Sequence, residues 1–104
     1  MFTPGLAMKL RLGAAERYKL AHDQLWPELA DGMRANQVSM AIYCDGDRLF
    51  LFAGAPSEAH WERNRQDPVL ARWDARMTEF LETDAQGGIA FTNLPKVFGF
   101  GEFK

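Results

Sequence analysis

From Gly5 to Leu12 apolar and polar positions alternate strictly. Leu6, Met8, Leu10 and Leu12 fall on one side and Ala7, Lys9 and Arg11 on the other, which predicts a β-strand. The period then changes. Tyr18, Ala21, His22, Leu25 and Leu29 recur three or four residues apart, which predicts helix from Ala14 to Asn36. Pro27 has no N–H to give and its ring clashes with the preceding turn. The helix is therefore expected to kink or restart there, with Pro27 in the first turn of the second piece. Ser39 to Cys44 and Arg48 to Ala53 read as two short strands joined at Asp45-Gly46-Asp47, where Gly46 is free to take a positive φ. Ser57 is placed to cap a second helical region, and Asp67-Pro68 pairs a cap with proline at the first helical position. Leu70, Trp73, Met77 and Leu81 then form one stripe. Residues 84–93 read as loop, and Val97 to Phe103 as a last strand rich in Phe and interrupted by Gly99 and Gly101.

The predicted order is β-α-β-β-α-β, the ferredoxin-like arrangement of an α+β fold: an antiparallel sheet with helices over one face, formed by residues 1–104 as a single domain. Neighbouring strand residues alternate, so Tyr43, Phe50, Phe52 and the Phe side chains of the last strand cannot all lie under the helices. A second subunit packed sheet to sheet would cover those aromatics, and a homodimer is expected on that ground.

Composition narrows the class. The chain has 104 residues, a hydrophobic fraction of 47%, a charged fraction of 25% and a formal net charge of -2, all ordinary for a globular protein. No Lys/Arg cluster resembles a phosphate-binding patch, so nucleic acid is not an expected partner. No segment reaches the ~20 apolar residues of a membrane span, and the N-terminal stretch lacks a signal-like apolar run. With Cys44 as its one cysteine, the chain can form no internal disulfide, which fits a reducing, cytoplasmic location. Three Trp, two Tyr and eight Phe exceed the needs of a small core.

Two groupings carry chemistry. Tyr18, His22 and Trp26 are each four residues apart, which sets at least the first two in one helical row. A phenol donor would then stand beside the side chain that both gives and takes protons near neutral pH. The same spacing also suits an amphipathic helix whose inner stripe contains a hydrogen-bonded histidine. In Trp73-Asp74, a flat ring suited to the apolar face of a sugar adjoins a carboxylate that accepts hydroxyl hydrogen bonds, although taken alone the pair reads more simply as a core Trp73 beside a solvated Asp74. Tyr43 sits on the strand face opposite Met40 and Ile42, either turning its hydroxyl to a pocket or packing at a rim. Lys9 and Arg11 suit either the second sheet face or a solvated edge, and His60 is expected to be exposed. Cys44 has neither a second cysteine nor a nearby histidine, and there is no phosphate loop, serine-nucleophile motif or metal-ligand spacing.

The run Tyr18-x3-His22-x3-Trp26-Pro27-Glu28-Leu29 resembles the signature of the L-rhamnose mutarotase family. Met8, Ala41-Ile42-Tyr43, Ser57-Glu58, Trp61, Arg72-Trp73 and Met77 fit the same pattern, and the resemblance extends over nearly the whole chain. It implies a dimeric α+β barrel and a cofactor-free aldose 1-epimerase acting on a 6-deoxy monosaccharide. By position, it implies that His22 is the proton donor and Tyr18 a sugar-binding residue, and that Trp73 matches the first of two tandem sugar-binding tryptophans. Two positions depart from the family pattern: Asp74 replaces the second tryptophan and Met40 replaces a tyrosine. Both positions are expected to touch the sugar, as are Trp26 and Tyr43, so the departures fall on specificity while the catalytic end is kept. L-Fucose, which differs from L-rhamnose at C2 and C4, is the alternative substrate. A non-catalytic or haem-binding α+β-barrel protein is the alternative of another class, with His22 as the candidate axial ligand.

Overall fold

The computed structural model describes residues 1–104. Strand β1 (Gly5–Lys9) is followed by α1 (Ala15–Asp23), α2 (Pro27–Ala35), β2 (Ser39–Asp45), β3 (Arg48–Gly54), α3 (Glu58–Arg65), α4 (Pro68–Met77) and the two-residue β4 (Thr92–Asn93). The sheet is antiparallel, in the order β2-β3-β1-β4. This is the expected α+β, ferredoxin-like order, with each predicted helix divided in two.

Local chemistry explains the divisions. Pro27 opens α2 at its first position, and Trp26 before it is extended (φ -60, ψ 130), as a residue preceding proline prefers. Asp67 is extended as well, and its side chain accepts from the N–H of Val69 to cap α4. Ser57 caps α3 by accepting from the N–H of His60, and its hydroxyl lies 2.7 Å from His60 Nδ1. His60 is consequently half-buried rather than exposed. Asp45 pairs with Arg48, so the hairpin loop is only Gly46-Asp47, with Gly46 at φ +64. Gly32 permits the approach of α2 to the start of α4: a Cβ there would stand 2.5 Å from the Asp67 carboxylate.

Two expectations at strand ends are corrected. The first strand stops at Lys9, not Leu12. Leu10 still bridges to Leu81, but Arg11 then donates its N–H to Phe80 and Gly13 turns the chain at φ +75, leaving Leu12 fully exposed. Alternation alone does not register that turn. Val97 to Phe103 is not a strand. The place beside β1 is taken by Thr92–Asn93, inside the segment read as loop, with Leu6 opposite Asn93 and Ala7 opposite Thr92. Pro95 interrupts the chain after β4, Gly101 has φ +64, and Gly101–Phe103 closes a short 3-10 turn.

The register sorts the sheet's faces. Met8, Leu49, Leu51 and Ile42 face the helices and pack with Tyr18, Leu29, Leu70, Trp73, Met77 and Leu81, while Leu6 on the same face packs with Val38, Ala53 and Trp61. Burying each such aliphatic side chain contributes about 1.5–3 kcal/mol. On the other face Tyr43 lies opposite Phe50 and near Phe52, ring centroids 6.0 Å apart for Tyr43 and Phe52. Tyr43 and Phe52 are exposed, and so are Val97, Phe98 and Phe100 in the C-terminal segment. Lys9, at the margin of β1, pairs with Asp47 at 3.6 Å and Glu82 at 3.5 Å. No helix is long and apolar enough to cross a membrane.

Candidate active site

Between the helices and the covered face of the sheet lies a cavity of about 770 Å³. Most of its lining is aliphatic, from β1, β2, β3 and the inner sides of the helices. Its polar side chains come from Glu16, Tyr18, Lys19 and His22 on α1, Asn64 and Arg65 on α3, and Asp74 on α4. No group of three or more His, Cys, Asp or Glu side chains is placed to hold a metal ion.

The α1 side is an aromatic stack. The Tyr18 and His22 ring centroids are 4.3 Å apart, as the four-residue spacing on one helix face dictates. His22 meets Trp73 edge to face at 5.2 Å, and Trp73 in turn meets Trp26 edge to face at 5.2 Å. Trp26 thus braces Trp73 from outside the cavity and does not line it. Trp73 and Tyr18 are buried, and His22 is half-buried.

His22 Nδ1 donates to the backbone oxygen of Tyr18 at 3.0 Å. That bond fixes the tautomer and leaves Nε2 as the ring's acceptor. Burial pushes the His22 pKa below its ordinary value, against smaller raising effects of the Tyr18 carbonyl and the Asp23 carboxylate. Near neutral pH the ring is therefore neutral, with a lone pair available. Burial, reinforced by the Asp74 carboxylate, pushes the Tyr18 phenol in the opposite direction, so it stays protonated and serves as a donor.

Asp74, the residue after Trp73, belongs to a polar pair of a different kind. Arg65 Nη2 donates to Asp74 Oδ2 at 3.3 Å, both side chains being about 30% exposed (31% and 28%). The Arg65 guanidinium also lies over the Phe91 ring, 5.6 Å from its centroid. Burial raises the Asp74 pKa, and the charge and hydrogen bond of Arg65 oppose that shift. Asp74 is thus a cavity carboxylate with a built-in cation.

Of the residues singled out from sequence, Tyr18, His22, Met40, Trp73 and Asp74 line this cavity. Tyr43 does not: the alternation of β2 turns it to the second sheet face, into a shallower depression shared with Phe52 and Phe103. Met40, at 37% exposure, reaches both. Arg65, Asn64 and Phe91 were not among the sequence candidates. The spacing Trp61-x2-Asn64-Arg65 did hold a signal, because it places Arg65 on the face of α3 that buries Trp61.

A ferredoxin-like sheet enclosing a cavity with one neutral histidine, a phenol, a tryptophan face and a carboxylate defines an α+β protein equipped for proton transfer on a small polyhydroxyl ligand. Residues 4–100 match the L-rhamnose mutarotase family, and the chain belongs to that family. It is 34% identical over 90 residues to an L-rhamnose mutarotase of Burkholderia orbicola, covering 84% of this chain and 86% of that one. With an L-rhamnose mutarotase of Klebsiella pneumoniae it shares 32% identity over 101 residues, covering 94% and 97%. The crystal structure of an L-rhamnose mutarotase from Formosa agariphila superposes with a TM-score of 0.81 at 26% identity, covering 97% of this chain and all of that one.

Proposed function

We propose that the protein is a mutarotase, an isomerase that interconverts the α and β anomers of a 6-deoxy monosaccharide by opening and closing the sugar ring. Membership of the L-rhamnose mutarotase family supports the reaction. The observation that carries the chemistry is His22, held by the Tyr18 carbonyl as a neutral base on the cavity wall.

Nε2 of His22 takes the proton of the anomeric hydroxyl as C1=O forms and the bond from C1 to the ring oxygen breaks. The imidazolium so made delivers that proton to the ring oxygen, which is bonded to the same carbon and lies within reach of the same nitrogen. Rotation about C1–C2 turns the aldehyde over, and the reverse sequence closes the ring on the other face. Protons balance with one shuttling group. The raised pKa of Tyr18 suits it to donate a hydrogen bond to a sugar oxygen rather than to transfer its proton. Trp73 offers the ring a flat apolar surface, and Asp74 accepts from a hydroxyl. A single general acid/base contributes about 10² to 10⁴ in rate, enough for a reaction that already proceeds slowly in water.

The protein is read as a homodimer joined through the second sheet face. The exposed Tyr43 and Phe52, with Val97, Phe98 and Phe100 of the C-terminal segment, support that reading. Tyr43 then belongs to the interface and not to the sugar. The free, exposed Cys44 supports a reducing, cytoplasmic setting.

Saturation-difference NMR of anomer exchange across 6-deoxy and ordinary hexoses tests the function. Exchange above the buffer rate for at least one 6-deoxy sugar is expected, and the buffer rate for every sugar would refute it. Sedimentation at low micromolar concentration tests the dimer, with about twice the chain mass expected.

A further inference from the structure

The α1 side of the cavity accounts for the proton transfer, but it leaves Arg65 without a part. Surface arginine pairs are common and contribute little. This one stands at the wall of a largely apolar cavity, about two-thirds buried, braced by Asp74 on one side and the Phe91 ring on the other. The side-chain bond it makes joins one of its nitrogens to one carboxylate oxygen, at 3.3 Å. The remaining guanidinium N–H groups and the second oxygen of Asp74 make no side-chain bond. A partly desolvated donor set and acceptor are thus held side by side, with hydrogen-bonding capacity left on each.

We propose that Arg65 and Asp74 form one subsite for two hydroxyl groups on adjacent carbons of a neutral sugar, and that Arg65 is a specificity-determining residue of the site. The inference rests on the mutarotase reading given above. One hydroxyl donates to Asp74, and the oxygen of its neighbour accepts from Arg65. Vicinal hydroxyls match this couple because their oxygens are themselves about a hydrogen bond apart, as are the two side chains.

Charge decides against anionic ligands. The Arg65 cation is already matched by Asp74, His22 is neutral, and Lys19 on the same rim is bound to Asp23 at 2.7 Å. Sugar phosphates and sugar acids would find no unpaired cation, whereas a neutral polyol supplies the mixture of donors and acceptors that the couple lacks. Glu16, also on the rim, strengthens the exclusion.

The test compares the fastest-exchanging sugar with its single-deoxy analogues, by saturation-difference NMR, on the wild type, Arg65→Met, Asp74→Leu and the double variant. Methionine keeps an apolar stem against Phe91, and the double variant leaves no unpaired charge. In the wild type, two analogues lacking hydroxyls on adjacent carbons are expected to exchange about tenfold or more slowly than the parent sugar, the loss of roughly one hydrogen bond to a charged group. The other analogues stay near the parent. Each single variant should erase one of the two penalties and the double variant both, while His22→Ala slows parent and analogues alike. The wild-type panel stands even if a variant fails to fold.

Penalties on non-adjacent carbons, no penalty at all, penalties that persist in the double variant, or faster exchange of a uronic acid than of the neutral sugar would each overturn the subsite and leave the mutarotase reading intact. Failure of the wild type to exchange any sugar overturns both.

Discussion

On the α1 side of the cavity, rings hold one another in place and the hydrogen bond that matters goes to backbone: Tyr18 on His22, His22 on Trp73, Trp73 on Trp26, with Nδ1 tied to the Tyr18 carbonyl. One residue on from Trp73, a single ion pair, Arg65 with Asp74, stands on the lining of the same cavity. The first arrangement fixes a tautomer and lowers a pKa. Neither depends on which hydroxyls a sugar carries. The second supplies directional partners for hydroxyls. Rate and selectivity are therefore expected to rest on different side chains, His22 with Tyr18 and Trp73 against Arg65 with Asp74, although the Asp74 carboxylate also acts on the Tyr18 phenol.

The comparison breaks most visibly at His22. His22→Ala is expected to lower anomer exchange by at least ~10² for every accepted sugar, with the ratio between sugars unchanged and the melting temperature nearly so. Exchange rates on two sugars, with a thermal melt, check it. A collapse of stability would make His22 a packing residue. The pH profile sharpens the same point. Because burial lowers the pKa of His22, its base form predominates at neutral pH, and the acid-side fall of kcat/KM should be centred below 6.5. Below the lowered pKa it should fall about tenfold per pH unit as the lone pair is protonated. A decline already centred at or above 6.5 would place the working proton elsewhere.

The two walls were not equally legible in the sequence. Tyr18, His22 and Trp26 announce themselves because helical spacing is local, and the restart at Pro27 follows from the chemistry of one ring. Trp73 is likewise visible on the apolar stripe of α4, with Asp74 as its neighbour in the chain. Arg65 was not, since its partner lies nine positions on, beyond the turn at Gln66-Asp67 that folds α4 back past α3. Such a pairing depends on a helix crossing that no local period encodes. The strand errors have the same source. Val97 to Phe103 has the residue types of a strand, but pairing needs an open edge, and Thr92–Asn93 already occupies the one beside β1. Tyr43 was a candidate from its hydroxyl and from the family resemblance, and the register of β2 with β3 keeps it on the face opposite Met40 and Ile42, as alternation implied.

A second and smaller effect is expected on the Arg65–Asp74 wall. Asp74→Trp replaces two acceptors with a flat apolar surface and returns the position to the residue of the family pattern. L-Fucose should exchange faster than L-rhamnose on the wild type, and the variant should move preference toward L-rhamnose. The loss on the preferred sugar should be about 1–3 kcal/mol in transition-state binding. The two rates on both proteins give four numbers, from which the preference follows directly. Equal preference in wild type and variant would remove Asp74 from sugar selection.

Met40 should give the smallest effect of the set, because it stands at the margin of the cavity and not within a wall. It lies on β2 opposite Ala53, on the helix-facing side, and at 37% exposure it is among the most open of the apolar lining residues. An unbranched thioether makes an adaptable contact but forms no strong hydrogen bond. Met40→Tyr adds a hydroxyl at the mouth, where water competes for it, so its net contribution is held to about 0.5–1.5 kcal/mol. A shift of a few-fold in relative kcat/KM between L-rhamnose and L-fucose is expected, carried mainly by KM, because a contact at the mouth binds ground state and transition state alike. Its direction should match that of Asp74→Trp, since both substitutions restore the family's residue. Met40 shares no hydrogen bond with the Arg65–Asp74 pair, so additivity is expected: the double variant should shift preference by the sum of the two single free-energy changes, within about 0.5 kcal/mol. A change in kcat with KM constant, or a double variant far from additive, would mean that β2 and α4 close on the sugar together, and the division between a rate-setting wall and a selecting wall would have to give way to one coupled enclosure.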